Sequence, residues 1–225
     1  MAKIQTTVHT RPATAAAPTR RPRGRPRKTP AERDDGNRRR QLLQAAARLF
    51  RRKGFGAATT RDIAAAVGMH AGSPFYHFES KAALLFAVMD EGMRAALARQ
   101  AQALQPGTDP AFALECLIRA HFDTLHGPGR DFIPVMLYEA RSLAPRQRAA
   151  LARLQQDYEA AWTPVLEALA ADGRLRTDPG LARLLMLGAL NWSVQWFDPK
   201  KRASLDDLTD AALALFLHDH EDTRR

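Results

Sequence analysis

Residues 59–81, TTRDIAAAVGMHAGSPFYHFESK, decide the fold, because they read as two short helices joined by a tight turn. Thr59, followed three residues later by Asp62, has the spacing of a capping box, in which hydroxyl and carboxylate each accept a backbone N–H of the other residue. A helix starting at Thr59 or Thr60 places Ile63, Ala64 and Val67 on one face. Gly68, directly after the last apolar position, supplies the left-handed residue that closes such a helix. His70-Ala71-Gly72-Ser73 then restarts the chain as a second helix, short, aromatic and polar. Two helices set this way carry the second into the major groove of DNA.

Working outward, Leu42, Leu43, Ala46, Leu49 and Phe50 fall on one face of a helix over residues 38–53, with arginines on the others and Gly54 as its stop. Ser80 can cap a long helix running through Leu84, Leu85, Val88 and Met89 to about residue 103, before Pro106-Gly107. Helical periods continue over about 110–125, 131–141, 145–171, 179–197 and 204–220, broken at Gly127-Pro128-Gly129, Ala144-Pro145, Asp172-Gly173 and Asp198-Pro199. No two-residue alternation is sustained, so no sheet is expected. The expected fold class is all-α: a three-helix head, a linker helix and a body of five or more helices. The boundaries are an arm over residues 1–32, a head over 33–95 with its motif at about 59–78, and a body over 96–225.

From about Asn37 to Met93 the chain runs as a basic amphipathic helix, then GFGAATTRDIAAAVGM, then GSPFYHFESK and a long Ala/Leu-rich helix. This order resembles the DNA-binding domain of the TetR family of bacterial transcriptional repressors, over about a quarter of the chain. The resemblance implies a cytoplasmic homodimer that binds a palindromic double-stranded DNA operator and is released from it by a small-molecule effector. It departs at Pro74-Phe75, where the family most often has Leu-Tyr, so a tyrosine hydroxyl that usually holds a phosphate is missing. Tyr76 stands one position on.

Each motif residue then has an expected role. The first helix offers unpaired N–H groups and a positive dipole end to a phosphate, reinforced by Thr59, Thr60 and Arg61. Base edges fall to the second helix, where Ala71, Gly72 and Ser73 let the backbone approach and Tyr76 and His77 reach. For His77, packing or a phosphate contact competes with base reading. Lys81 is expected on a phosphate. Phe50, Phe55, Phe75 and Phe78 are expected as the core of a small unit.

Charge supports the same end of the molecule. The chain carries 34 Lys and Arg against 24 Asp and Glu, a net +10, and the first 53 residues hold 16 of the bases and 3 of the acids. So local an excess points to a polyanion bound at one end. Residues 1–32, rich in Pro, Ala, Thr and Arg without helical period, are expected to be disordered alone. Within them Arg23-Gly24-Arg25-Pro26-Arg27-Lys28 resembles an AT-hook core, with Arg25 and Arg27 in a narrow A·T minor groove. A basic arm held only by phosphate attraction is the other reading.

In the body, Met89, Met93, Cys116 and Phe122 with Phe132, Met136, Tyr138 and Trp162 are flexible or flat side chains suited to lining a ligand pocket. Arg119, His121, His126 and Arg141 could meet a ligand anion, but exposed helix-face charge is the plainer expectation. The stretch LGALNWSVQWF, residues 187–197, resembles family members that respond to acyl-CoA thioesters. Residues 179–197 and 204–220 are apolar on more than one face, so Leu181, Leu185 and Trp192 with Leu208, Leu215 and Phe216 are expected at a two-fold interface.

No segment approaches the roughly 20 apolar residues that span a membrane. The single cysteine excludes an intramolecular disulfide, no metal or other cofactor is called for, and His218-Asp219-His220 is too short a cluster to assign an ion. G-x-S-x-G, H-E-x-x-H, P-loop and dinucleotide motifs are all missing, so an enzyme stands behind a ligand-controlled repressor and a constitutive DNA binder.

Overall fold

The computed structural model describes residues 30–70 and 74–218. Arg25 and Arg27 of the arm, and Ala71, Gly72 and Ser73 of the motif, lie outside the described residues. The helices are α1 Pro30–Ala57, α2 Thr60–Ala66, α3 Pro74–His77, α4 Lys81–Ala103, α5 Pro110–His126, α6 Phe132–Glu139, α7 Pro145–Ala160, α8 Thr163–Ala171, α9 Pro179–Trp196 and α10 Leu205–Phe216. No strand occurs among the described residues, so the fold is all-α.

Several boundaries differ from the sequence expectation. The first helix begins at Pro30, inside the expected arm, and runs past Gly54 to Ala57. Gly54 has φ of 76° and ψ of 161°, a bend that only glycine takes without strain, and one more turn follows it. Residues 145–171, read as one helix, are two: Pro164 has no N–H to give the preceding turn and its ring would strike the carbonyl of residue 160, the last of α7. A short 3-10 turn, Ala140–Ser142, ends the α6 segment. The last helix stops at Phe216, after which extended backbone lets His218 donate its N–H to the Arg174 carbonyl at 3.1 Å.

One core runs through head and body. Leu42, Leu43, Phe50, Ile63, Leu84 and Leu85 fill the head, and Leu114, Leu117, Ile118, Phe122, Trp162 and Leu166 fill the body. The long α4 belongs to both, packing on α1 at one end and on α5, α6 and α7 along its length. Gly92 makes this possible at one point: a Cβ there would lie 2.6 Å from the Phe132 Cβ, so α6 seats on α4 only over glycine.

Candidate functional site

The head is built around the expected capping box. The Thr59 Oγ1 accepts the Asp62 N–H at 3.0 Å, and the Asp62 carboxylate accepts the Thr59 N–H at 3.1 Å. The Thr59 backbone N–H and then its side chain, with Lys53 at 3.3 Å, hold the Asp62 pKa below the ordinary carboxylate value. Gly68 has φ of 67°, and the N–H groups of Gly68 and Met69 turn back to the carbonyls of Ala65 and Ala64. Thr59 and Arg61 are exposed beside a half-buried Thr60 at the start of α2. The aromatic helix α3 is a single turn in which Tyr76 is 83% exposed and its ring meets the half-buried His77 ring edge-on.

Lys81 is placed differently from the expectation. Its ammonium donates to the carbonyls of Phe55, Gly56 and Ala58 at 2.8, 3.3 and 3.0 Å and stands 4.4 Å from the Phe55 ring centroid. Those carbonyls are the ones that the end of α1 leaves without helical partners, so Lys81 caps α1 and fastens it to α4.

The same end of α1 is tied to α6. Arg51 donates to Asp131 at 2.9 Å, and the Phe55 N–H, released from helical bonding by the bend at Gly54, donates to Glu139 at 3.1 Å. The two carboxylates stand at opposite ends of α6. Sequence reading missed both, because nothing in a local pattern pairs acids with partners about 80 residues away.

The inner face of α6 borders a cavity of about 100 Å³. Ile133, Met136 and Leu137 of α6 face Met93 and Ala96 of α4, His121 and Thr124 of α5, Gln155, Tyr158 and Glu159 of α7, and Leu187 and Asn191 of α9. His121 is its most unusual wall residue. Its Nδ1 and the Tyr158 hydroxyl are hydrogen-bonded at 2.8 Å, while its buried Nε2 has no hydrogen-bond partner of full geometry among the described residues. Burial is the main cause that lowers the His121 pKa to about 4; a side-chain interaction with Asn191 opposes it, and the nearby His126 adds a smaller downward pull. Burial likewise raises the Tyr158 pKa, against a smaller downward pull from Arg99. At neutral pH both groups are uncharged.

His121 therefore corrects the expectation of an exposed charge. The signal was in the sequence: Leu114, Leu117, Ile118 and Leu125 place position 121 on the apolar face of α5. Arg119 pairs with Asp123 and Asp206, Arg141 is exposed, and His126 bonds Ser193 at 2.8 Å.

Of the eight pocket candidates, Met93 and Met136 line this cavity. Met89, Phe122 and Trp162 are buried in the core behind it, with Trp162 edge-on to the His121 ring. Phe132 packs over Gly92 and borders a neighbouring cleft with Arg99. Tyr138 is half exposed, borders a second cleft between α1, α6 and α9, and accepts a hydrogen bond from Gln195. Cys116 borders an open groove with Phe112 and Arg119, its thiol pKa raised by burial and then by Glu115.

Helix α9 has two apolar faces. Ala182, Met186, Leu187 and Leu190 pack into this chain, whereas Leu181, Leu184, Leu185, Trp192 and Trp196 are exposed. Leu215 on α10 is 79% exposed, while Leu208 and Phe216 are half buried against the chain's own core. Among the described residues, no cluster of His, Cys, Asp or Glu could hold a metal ion, and no helix is long and apolar enough to cross a membrane.

Comparison with known proteins agrees with this division of labour. Residues 42–88 match the family described as bacterial regulatory proteins, tetR family, and residues 107–219 match the tetracyclin repressor-like C-terminal domain. Over 196 residues the chain is 28% identical to the HTH-type transcriptional repressor KstR2 of Rhodococcus jostii (strain RHA1), covering 84% of this chain and 96% of that one. The solved structure of superantigen PfiT is 37% identical, with a TM-score of 0.67 over 80% of this chain and 95% of that one. AibR, solved in complex with isovaleryl coenzyme A and operator DNA, shares the fold at 24% identity and a TM-score of 0.73, over 80% of this chain and 97% of that one. The chain belongs to the TetR family of helix-turn-helix, DNA-binding transcriptional repressors.

Proposed function

We propose that this repressor binds a palindromic operator as a cytoplasmic, nucleoid-associated homodimer and is released by a small, largely apolar effector, with an acyl-CoA thioester as the leading class. The observation that carries the reading is the double role of α6. Its inner face walls the cavity through Ile133 and Met136, and its ends hold α1 through Asp131 and Glu139. A space of about 100 Å³ is small beside the roughly 300–1,000 Å³ of ordinary ligand sites. An acyl chain can enter only if a wall moves, and the movable wall is attached to the head. The effector then favours the conformation whose two heads no longer match successive major grooves, and it weakens DNA affinity by that same preference. The AibR complex supports a coenzyme A thioester as a ligand class that this fold accommodates.

On DNA, Arg61 and the α2 N-terminus with Thr59 and Thr60 would face phosphates. Tyr76, with Ala71, Gly72 and Ser73, would face base edges, and His77 would back them. Arg25 and Arg27 would add phosphate or minor-groove contacts. The exposed apolar face of α9, with Leu215 of α10, would pack on its two-fold mate, since a monomer gains nothing by showing Leu181, Leu185, Trp192 and Trp196 to water. Footprinting of fragments selected from the host genome tests the reading. Protection of two half-sites about one helical turn apart supports it, and an unstructured footprint that no host metabolite alters favours a constitutive binder.

A further inference from the structure

We propose that His121 is the specificity-determining residue of the cavity, donating a hydrogen bond from Nε2 to a neutral carbonyl oxygen of an otherwise apolar ligand. The inference rests on the effector reading above and assigns its chemistry to one atom. His121 Nδ1 is already engaged with the Tyr158 hydroxyl at 2.8 Å. A phenol is the better donor and an unprotonated imidazole nitrogen the better acceptor, so the hydroxyl donates and Nδ1 accepts. A neutral ring bonded this way carries its proton on Nε2. Among the described residues that buried N–H has no hydrogen bond of full geometry, although the Asn191 side chain interacts with the same ring from the cavity wall, and a ligand oxygen would satisfy the donor that Asn191 leaves incompletely met.

The surroundings select a neutral oxygen over a carboxylate. Met93, Ile133, Met136 and Leu187 supply apolar walls, and Glu159 brings a negative charge, paired with Arg183 at 3.4 Å. Among the described residues, no Lys or Arg lines the cavity. Arg99, the cation whose charge reaches Tyr158, donates to the Thr124 hydroxyl at 2.8 Å and borders the neighbouring cleft instead. An anion beside His121 would lose its hydration without gaining a partner charge, whereas a ketone or thioester carbonyl needs only the one donor.

The test is a matched set of probes titrated calorimetrically into the full-length protein: S-ethyl hexanethioate, ethyl hexyl sulfide, in which the carbonyl is a methylene, and hexanoate. The thioester should bind about ten-fold more tightly than the sulfide, the worth of one net hydrogen bond. In His121→Phe that preference should vanish while sulfide affinity stays within about two-fold, since a ring still fills the site. Tyr158→Phe, which keeps the imidazole but frees its tautomer, should reduce the preference as well, and it carries the test alone should His121→Phe fail to fold. Equal binding of thioester and sulfide by the wild type, tighter binding of hexanoate, or an equal loss of both probes in His121→Phe would each overturn the assignment while leaving the effector reading standing. Failure of every probe to bind would overturn both.

Discussion

Glu139 and Phe55 are 84 residues apart in the sequence, yet the Glu139 carboxylate accepts the Phe55 backbone N–H at 3.1 Å. The contact exists because Gly54 bends the chain out of helix just before Phe55 and leaves that N–H free to turn outward. Where an ordinary helix would have bonded to itself, this one bonds to the cavity wall.

Breaking that contact should separate ligand binding from DNA release. In Glu139→Ala, ligand-free operator affinity should stay within a few-fold of wild type, while the ligand-induced loss of affinity should shrink by about five-fold or more. Gel shifts of both proteins with and without effector check it, and an undiminished ligand response would mean that α6 signals by another route.

Gly54→Ala probes the bend itself. At φ of 76° and ψ of 161°, a region essentially reserved for glycine, an L side chain costs about 1–3 kcal/mol, and the new Cβ would lie 3.3 Å from the Glu139 carboxylate. Urea unfolding should show that loss, with the slope against denaturant unchanged.

Lys81 offers a contrast between structural and DNA-binding cations. Lys81→Met should lower the melting temperature, because three carbonyls at the end of α1 lose their donor. The slope of log operator affinity against log salt should be unchanged, whereas Arg61→Ala should flatten it by about one. A flattened slope in Lys81→Met would return Lys81 to the phosphate backbone.

The exposed α9 face should behave as an interface. Leu185→Glu or Leu215→Glu would bury an unpaired carboxylate between two chains, so sedimentation should find monomers where the wild type is dimeric. A wild-type monomer at micromolar concentration would remove the dimer from the mechanism.

His121 also makes stability depend on acid. Its folded pKa of about 4 lies below the value of about 6.5 in an unfolded chain, so the unfolded state binds the proton first. The stabilisation is complete above about pH 6.5 and is lost as pH falls toward 4, by at most on the order of 3 kcal/mol. Burial depresses the His126 pKa too, which adds in the same direction, whereas neutral Tyr158 does not titrate in that window. Chemical unfolding at pH 7 and pH 5 should show a smaller loss in His121→Phe than in wild type.

The head was legible because its instructions are local. A capping box, a closing glycine and a four-residue apolar period lie within about 20 residues of one another, and Thr59, Asp62 and Gly68 take the expected places. The split between α7 and α8 was as readable, at Pro164, but a strong period on both sides masked it. The cavity was not legible: its walls come from five helices, and apolar residues facing a cavity have the same spacing as those facing a core. Hence Met93 and Met136 line it, while Trp162 and Phe122 lie behind it. His121 was in view on an apolar stripe, but its free nitrogen depends on Tyr158, 37 residues on. Lys81 misled for a related reason, since a lysine aimed at phosphate and one aimed at carbonyls look alike in sequence.

The most direct measurement is the operator dissociation constant of the full-length dimer, taken alone and with the molecule that native mass spectrometry recovers from protein purified from its own host. Coupling between the cavity and the head predicts a rise of about ten- to a hundred-fold on saturation, and a much smaller rise in Glu139→Ala. An operator affinity that stays the same while the molecule demonstrably occupies the cavity would contradict it.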